Sequence, residues 1–361
     1  MTICVDCRMI DASGIGVYLR ESLPWLLQSD NEFLLLGNIK RLQCYSSNAN
    51  VKIIECNIKP FSIKELFFIP SQITRQINGA DLYFSPFFNI PHSVTIPVFT
   101  TIHDIIFPDM PELTSKTGLF ARMWFYRRAY KKSQKIFTVS EFSKARIQHH
   151  LGAEKPVIVT HSAIQPMFLK YRANIQNIQK SQTIVFIGNI KKHKGLDLLI
   201  EAFSQTRNEG LPHRLVVIGA KENFRTADST ILRKIESLGC EAVTFTGLIT
   251  DEQVIKHLSK AALLVQPSLY EGFCLPPLEA MVLGTHTLIS DIPVLTEIYS
   301  GFPVTFFRSG DSSDLKEKMM ELLFNKKPSS PNLSDDLLLR YTFERTASVI
   351  LREFRYNKGK I

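Results

Sequence analysis

Short apolar runs alternate with amphipathic segments through the second half of the chain, and no other feature limits its fold as strongly. The runs TIVFIG, HRLVVIGA and ALLVQPS begin at Thr183, His213 and Ala262. Between the first two lies KGLDLLIEAFSQTRNEG, whose apolar residues have the spacing of an amphipathic helix. Such alternation indicates a parallel sheet covered on both faces. Ligands of these sheets bind at the carboxyl ends of the strands.

The first half has the same pattern in a less regular form. Strand candidates there include FLLLGN, VKIIEC, ADLYFSP and KIFTVS, and SEFSKARIQHHLG has a helix start signal. A chain of 361 residues is long for one hydrophobic core. We therefore predict an α/β fold of two doubly wound domains facing a cleft. The predicted parts are a first domain at 1–168, a linker at 169–182, a second domain at 183–338 and a helix at 339–361 that packs back on the first domain.

The formal net charge is +9, and most of the excess lies in residues 1–178. An acidic partner such as nucleic acid, anionic lipid or a phosphorylated substrate would suit this charge. Nucleic acid is disfavoured because the sequence contains no RNA- or DNA-binding motif. The start, MTICVDCRMID, lacks the basic and apolar regions of a signal peptide, and no run approaches the roughly 18 apolar residues of a membrane helix. We therefore expect a cytoplasmic protein.

The stretch SLYEGFCLPPLEAMVLGTHTLIS, residues 268–290, carries two glutamates, Glu271 and Glu279, on either side of a predicted turn. Gly272 is expected to make the turn, and the following Pro-Pro pair suits the first turn of a helix. A helix start attracts phosphate, and carboxylates accept hydrogen bonds from hydroxyl groups. A diphosphate between two sugars would use both glutamates, with a ribose at Glu279 and a transferable sugar at Glu271. The alternative is a solvated loop with two ordinary surface acids.

With this block and four others, the chain resembles the retaining glycosyltransferases of family 4. The blocks are YEGFCLPPLEAMVLGTHTLISD (270–291), FIGNIKKHKGLDLLIEAF (186–203), TIHDIIFPDMPE (101–112), TVSEFSKARI (138–147) and SGIGVYL (13–19). The resemblance covers nearly the whole chain and implies two Rossmann-like domains in the GT-B arrangement. The glutamate block is specific, whereas the glycine segment alone is weak because no third glycine completes a dinucleotide fingerprint.

The resemblance implies catalytic roles for Glu271 at the transferred sugar, Lys194 at the diphosphate and His103 near the sugar. A histidine at a strand end is also often just a satisfied polar residue, and this alternative stays open for His103. The resemblance further implies a larger set of donor-binding residues: Gly14, Gly16, Asp104, Asn189, Lys191, Gly247, Phe273, Cys274, Leu275 and Glu279.

Three positions depart from the family pattern. Asn189 stands where many relatives have arginine, and we expect Lys191 or Lys192 to supply the missing charge. Cys274 replaces a usual glycine and is expected to tighten the sugar pocket, and His286 stands where proline is common. Both glutamates and Lys194 are present, so activity is expected.

The resemblance also implies retention of configuration, and the sequence shows no evident carboxylate nucleophile. The expected path is front-face attack, in which the leaving diphosphate accepts the proton of the acceptor. No D-x-D metal clamp is present, so we expect no metal and no other cofactor, and the nucleotide sugar is a substrate.

The basic segment TGLFARMWFYRRAYKKSQK, residues 117–135, is predicted to be a helix with one apolar and one basic face. It is either a packed helix with a solvated basic face or a peripheral contact with anionic lipid. The candidate membrane or acceptor residues are Trp124, Phe125, Arg128, Lys131, Lys132 and Lys135.

The variant HDIIFPDMPE, residues 103–112, resembles mannosyl- and rhamnosyltransferases of O-antigen assembly. It therefore favours transfer of mannose from GDP-mannose onto a lipid-linked glycan, at the inner face of the inner membrane. Two alternatives remain: a UDP-hexose donor, and a non-catalytic nucleotide-sugar-binding partner of an assembly complex. The intact glutamates and Lys194 count against the second.

Overall fold

The computed structural model describes residues 1–172, 178–219, 229–239, 241–324 and 333–358. It divides into two compact units, one of Met1–Ala163 with Tyr341–Ile361 and one of Ile164–Arg340. The predicted linker at 169–182 begins inside a helix, Pro166–Arg172, which is part of the second unit. Residues 173–177 of that linker lie outside the described residues.

The first unit contains a parallel sheet, whose described strands have the order β3-β2-β1-β4-β5-β6-β7. Val5 of β1 pairs with Leu35 of β2 on one side and Phe84 of β4 on the other. The strand order therefore reverses between β1 and β4, which defines one edge for ligands. The strands are β1 Thr2–Asp6, β2 Glu32–Gly37, β3 Val51–Glu55, β4 Leu82–Ser85, β5 Val98–Thr101, β6 Ser133–Thr138 and β7 Val157–Val159.

Several helices of the first unit begin at a side-chain cap. Ser115 Oγ accepts a hydrogen bond from Gly118 N at 3.1 Å, and Ser140 Oγ accepts one from Ser143 N at 3.0 Å. The helices up to β7 are α1 Ser13–Leu26, α2 Ile39–Leu42, α3 Ile63–Phe67, α4 Ser71–Asn78, α5 Ile106–Asp109, α6 Lys116–Lys132 and α7 Glu141–Leu151, with 3-10 turns at Gln43–Tyr45 and Pro111–Leu113.

The second unit contains another parallel sheet, and its described strands have the order β10-β9-β8-β11-β12-β13. Strand order reverses between β8 and β11, whose residues Ile184 and Leu263 pair directly. The short strand β13 was not predicted from the sequence. The strands are β8 Thr183–Ile187, β9 Arg214–Ile218, β10 Val243–Gly247, β11 Leu263–Gln266, β12 His286–Ser290 and β13 Thr305–Phe307.

Helices cover this second sheet and bury its apolar side chains. Leu199 and Phe203 are fully buried and share one core with Ile184 and Phe186 of β8. Fully burying side chains of this size stabilises the fold by about 1.5–3 kcal/mol each. The helices are α8 Pro166–Arg172, α9 Leu196–Asn208, α10 Ser229–Ser237, α11 Asp251–Lys260, α12 Pro276–Val282, α13 Pro293–Tyr299, α14 Ser312–Phe324 and α15 Asp335–Leu338, with a 3-10 turn at Lys192–Lys194.

The last described helix is α16, Phe343–Lys358, which belongs to the first unit. The sequence predicted a terminal helix from residue 339, but the helix starts four residues later, at Phe343, and the short helix α15 ends before it at Leu338. Thr342 Oγ1 accepts a hydrogen bond from Arg345 N at 3.3 Å, which caps the new start. Phe354 is fully buried, with its ring centroid 5.5 Å from that of Phe84.

The prediction for the basic helix is wrong at its end. Helix α6 stops at Lys132, and Lys135 lies in strand β6, where its Nζ is 2.8 Å from Glu353 Oε2 on α16. Lys135 therefore cannot share a helical face with the other cations. The helix does have an apolar face, since Tyr126 and Tyr130 of α6 are buried.

Two further cations of the predicted basic face hold a loop of the same unit. Lys132 Nζ donates to the carbonyl oxygens of Pro91, His92 and Val94 at 3.2, 2.8 and 3.0 Å. Arg128 Nη1 donates to the carbonyl oxygen of Ile90. Burial, and then the charge of Arg128, lowers the pKa of Lys132 to about 8. These two charges are therefore mostly committed to the protein rather than presented to a partner.

None of the helices in the described ranges is both long enough and apolar enough to cross a bilayer.

Candidate functional site

Two loops meet where the strand order of the second sheet reverses. One follows β8 and carries Lys194, and the other follows β11 and carries Glu271. Because β8 and β11 are neighbours, their carboxyl ends lie side by side, which is where open α/β sheets bind ligands. The sequence placed both residues in ligand contacts, and the structure also joins them to each other.

Lys194 Nζ lies 2.7 Å from Oε1 and 2.8 Å from Oε2 of Glu271. Ser268 Oγ donates to Glu271 Oε1 at 2.7 Å, and Gln266 Nε2 lies 3.3 Å from Ser268 Oγ. Glu271 is only 7% exposed, so its carboxylate is held in one orientation by a cation and a hydroxyl. Ser268 and Gln266 were not predicted as site residues, and their only signal in the sequence is their position at the end of β11.

Gly195 makes the approach of the two loops possible. Its φ is +67°, and a Cβ added there would lie 2.0 Å from the carbonyl oxygen of Pro267. The β8 loop is further tied to the β11 loop by Leu269 N, which donates to the carbonyl oxygen of His193 at 2.8 Å. Only glycine combines this backbone conformation with this contact. Lys194 therefore reaches Glu271 because its neighbour has no side chain.

The turn before α12 differs from the prediction that Gly272 makes it. The left-handed residue is Cys274, at φ +73°. Tyr299 Oη donates to the carbonyl oxygen of Cys274 at 2.5 Å and so holds the turn. Burial, then the charge of Glu271 and more weakly that of Glu279, raises the pKa of the Cys274 thiol. The thiol therefore lies within electrostatic range of both glutamates, next to Phe273 and Leu275.

Glu279 lies in the first turn of α12 and is 7% exposed. Burial, and then the charge of Asp251 at the start of α11, raises its pKa to about 8. The carboxyl group is therefore mostly protonated at neutral pH and can both donate and accept a hydrogen bond. A buried acid with a pKa shifted this far is a common feature of functional sites.

The remaining donor-binding candidates of this unit lie at the ends of β8 and β10. Asn189 and Lys191 are exposed on the loop between β8 and Lys194. Gly247 ends β10 with φ +71°, and space around it is open for an added Cβ. These residues share a sheet edge with Glu271. Asn189 stands where many relatives have arginine, and in the described part of this loop the exposed lysines are the cations that could replace that arginine.

In the first unit, Gly14 and Gly16 lie in the first turn of α1 and not in a loop. A Cβ at Gly16 would lie 2.5 Å from the carbonyl oxygen of Ile10, so this glycine is needed by the protein's own packing. A Cβ at Gly14 would have no atom within 4 Å. Of the two glycines, Gly14 is therefore the one that leaves the helix start open to a ligand.

His103 follows β5, and its Nε2 lies 3.0 Å from the carbonyl oxygen of Pro86. Its ring packs edge-on against Tyr18 of α1, with the centroids 4.9 Å apart. Burial lowers the pKa of His103 to about 4, so the imidazole is neutral at pH 7. Because a carbonyl oxygen can only accept, Nε2 carries the proton and Nδ1 is an acceptor. The neighbouring Asp104 accepts a hydrogen bond at 3.2 Å from the backbone N of Ile106, the first residue of α5.

The segment after His103 is held to α7 by residues for which the sequence predicted no role. Arg146 Nε lies 3.0 and 2.9 Å from the two carboxylate oxygens of Asp109. His150 Nε2 lies 2.6 Å from Asp109 Oδ1. Asp109 is thus fixed by two side chains one helical turn apart, which limits the freedom of the HDIIFPDMPE segment.

Residues 168–334 match the family described as Glycosyl transferases group 1. The serotype-specific mannosyltransferase WbdA of Escherichia coli is 30% identical over 205 residues, which are 54% of this chain and 25% of WbdA. The chain thus spans about a quarter of the length of WbdA. The O-antigen chain mannosyltransferase RfbU of Salmonella typhimurium is 24% identical over 271 residues, which are 71% of this chain and 70% of RfbU.

The solved structure of HepE from Anabaena in complex with UDP and glucose matches 99% of this chain and 100% of its own chain. The TM-score is 0.72 and the sequence identity 16%, a likeness that speaks for the fold alone. The predicted GT-B fold, with two parallel-sheet α/β domains, is confirmed. The match to the glycosyl transferases group 1 family therefore covers residues 168–334, which lie within the second unit.

Proposed function

We propose that the chain is a retaining glycosyltransferase of family 4 that moves a hexose from a nucleotide sugar to a glycan acceptor. The observation that carries this proposal is the Lys194–Glu271 pair, fixed by Ser268 at the switch point of a group 1 domain. It combines a cation for a diphosphate with an oriented carboxylate for sugar hydroxyls. The first unit is proposed to bind the acceptor and the second unit the donor.

In this proposal Lys194 neutralises negative charge that builds up on the leaving diphosphate. Its side chain is 21% exposed, so the ammonium group is accessible while both Glu271 oxygens hold it. Glu271 keeps acceptor capacity for hydroxyls because a carboxylate offers about four lone pairs. Charge stabilisation by a preorganised cation is the kind of contribution that lowers the barrier most.

Glu279 is proposed to hold the ribose of the nucleotide. With its pKa near 8, the protonated carboxyl donates to one ribose oxygen and accepts from the other hydroxyl at neutral pH. Gly14 and the backbone at 273–275 are proposed to contact the phosphates and the sugar. His103, with Nε2 donating to Pro86, offers Nδ1 as the acceptor for a sugar hydroxyl.

The proposed reaction is a front-face displacement. The acceptor oxygen forms a bond to the anomeric carbon on the side from which the diphosphate oxygen leaves. The acceptor's proton passes to that leaving oxygen, so no protein base is required. The protein contributes positioning and the charge of Lys194.

The proposed donor is GDP-mannose, and the proposed acceptor is a lipid-linked glycan of bacterial surface polysaccharide, the O-antigen. The names of WbdA and RfbU, both mannosyltransferases, support this choice. We expect the reaction at the inner face of the inner membrane. A UDP-hexose is the second candidate donor because HepE, which has the same fold, was solved with UDP and glucose.

The test is a panel of nucleotide sugars, measured first as thermal stabilisation and then as donor hydrolysis. A donor at 100 times its Kd should add about 2.7 kcal/mol to the free energy of unfolding. We expect GDP-mannose to stabilise wild type and Glu271→Gln to turn over at least a hundredfold more slowly. Stabilisation by a donor without any turnover would favour a non-catalytic nucleotide-sugar-binding partner, and no stabilisation by any donor would contradict the proposal.

A further inference from the structure

Helices α3 and α6 of the first unit expose large apolar side chains close to one another. On and beside α3, Ile63 is 72%, Phe67 64% and Phe68 68% exposed. On α6, Phe120 is 74% and Trp124 44% exposed. We call these five residues the α3–α6 patch. Apolar side chains grouped on a surface in this way mark an interaction site more often than isolated ones do.

Three contacts link the segments that carry the patch. At one end, the Phe61 ring lies before α3 and packs 5.3 Å from Phe125 of α6. At the other end, Phe67 packs 6.1 Å from the ring of His92. Lys132 of α6 donates to the His92 carbonyl oxygen at 2.8 Å. Lys132, which was predicted to lie on the basic face, therefore fixes the loop that supports the patch.

The charges around the patch are basic. Lys59, Lys64, Arg127 and Lys131 are exposed. The sequence of residues 59–78 contains one acid, Glu65, and that of residues 116–132 contains none. Glu65 is buried and lies 2.6 Å from Arg8, so its charge is neutralised inside the protein. The rim therefore presents cations to any partner.

We propose that the α3–α6 patch binds an anionic lipid surface, with the aromatic side chains entering the headgroup region and the four cations contacting lipid phosphates. Aromatic and basic residues together have the composition of interfacial anchors. Anionic lipid complements the charge of the rim, and an acyl region takes up the exposed rings. The proposal rests on the proposed function, which supplies the lipid-linked acceptor. It assigns the membrane contact to α3 and the outer side of α6 and not to Arg128, Lys132 and Lys135.

Vesicle co-sedimentation of the full chain tests the proposal, with phosphatidylcholine vesicles that contain a quarter phosphatidylglycerol. Wild type should pellet with these vesicles and not with phosphatidylcholine alone, and binding should weaken with salt. Changing Lys64, Arg127 and Lys131 to Gln should reduce the partition coefficient about a hundredfold, since each cation contributes about fivefold. Changing Phe67, Phe68 and Phe120 to Ser should also abolish pelleting.

Matched controls carry the same chemical changes elsewhere. Lys170→Gln, Lys256→Gln and Lys260→Gln together remove three exposed cations of the second unit. Phe324→Ser and Leu339→Ser remove exposed apolar side chains there. Both control variants should pellet like wild type, and all variants should show wild-type thermal unfolding.

Three outcomes would overturn the proposal: no binding by wild type, equal loss in control and patch variants, or a patch variant that only converts a dimer to a monomer. The last result would assign the patch to a second copy of the chain. Donor hydrolysis, measured on the same samples, tests the glycosyltransferase proposal separately. A chain that binds vesicles without hydrolysing any donor would contradict the proposed activity and leave the lipid surface supported.

Discussion

Lys194 Nζ contacts both carboxylate oxygens of Glu271, at 2.7 and 2.8 Å, across the point where β8 and β11 become neighbours. Because of this contact, each side chain orients the other before a ligand arrives. Lys194 is proposed to bind a diphosphate and Glu271 a sugar. Catalytic positioning and stability should depend on the same pair, and a double-mutant cycle can separate the two.

Replacing Lys194 by Met should lower both stability and turnover. Loss of one partner of a buried pair costs about 3–5 kcal/mol, and we expect about 2 kcal/mol because Lys194 is partly exposed. The double variant Lys194→Met with Glu271→Gln should recover most of this stability, because no buried charge is left alone. It should not recover turnover. Urea unfolding and donor hydrolysis give the two readouts, and additive stability losses would show that the pair is not coupled.

Replacing Glu279 by Gln should flatten the dependence of stability on pH. The pKa of Glu279 is raised from 4.5 to about 8 on folding. Between these values the folded chain keeps a proton that the unfolded chain releases. The free energy of unfolding of wild type should therefore fall as pH rises from about 5 to 8, by up to about 1.4 kcal/mol per pH unit. Thermal melts at pH 5 and 8 should show a smaller loss for the variant, and equal slopes would contradict the assignment.

Replacing Cys274 by Gly should stabilise the protein. A non-glycine residue at φ +73° costs about 1–2 kcal/mol, which glycine avoids. Cys274→Ala keeps the Cβ and should not gain this stability, so it is the matched control. Both variants remove the thiol beside Glu271 and should widen the range of accepted donors. Comparing unfolding midpoints and donor panels for the two variants checks backbone strain and pocket size independently.

Replacing Gly195 by Ala should separate the two loops of the site. The new Cβ would meet the Pro267 carbonyl oxygen at 2.0 Å, so the backbone must move. Gly210→Ala is the control, since Gly210 also has positive φ, +91°, but no atom within 4 Å of an added Cβ. Both substitutions should lower the free energy of unfolding by roughly 1 kcal/mol, because a residue with a Cβ is strained at positive φ. Only Gly195→Ala should also reduce donor affinity, at least tenfold. Similar donor affinities by calorimetry would mean that the loops tolerate the shift.

Chelation should leave donor turnover intact. Lys194 is proposed to supply the positive charge that a divalent cation supplies elsewhere. We expect the same rate in EDTA and in Mg²⁺ or Mn²⁺, measured as nucleoside diphosphate release. Loss of the rate in EDTA with recovery on adding either ion would overturn the role given to Lys194.

The order of strands and helices could be predicted from local patterns. A helix buried on one face and a parallel strand buried on both faces each have a characteristic pattern of apolar residues in the sequence. TIVFIG and HRLVVIGA form strands of a parallel sheet, β8 and β9, as expected. The spacing of Glu271 and Glu279 also marked the candidate donor site, since a strand, a turn and a short helix determine that segment locally. The strand β13 was missed because three residues carry too little periodicity.

Long-range contacts decided the rest. Whether Lys132 faces solvent depends on where residues 91–94 run, and whether Lys135 is free depends on α16, whose Glu353 lies 218 residues further along the chain. The Lys194–Glu271 pair likewise requires Gly195 to pass against Pro267. Strands, helices and candidate site residues could be predicted from the sequence because the patterns that mark them are local. Which charges are used internally and which remain for a ligand follows from the folded chain, because it depends on partners that folding brings close.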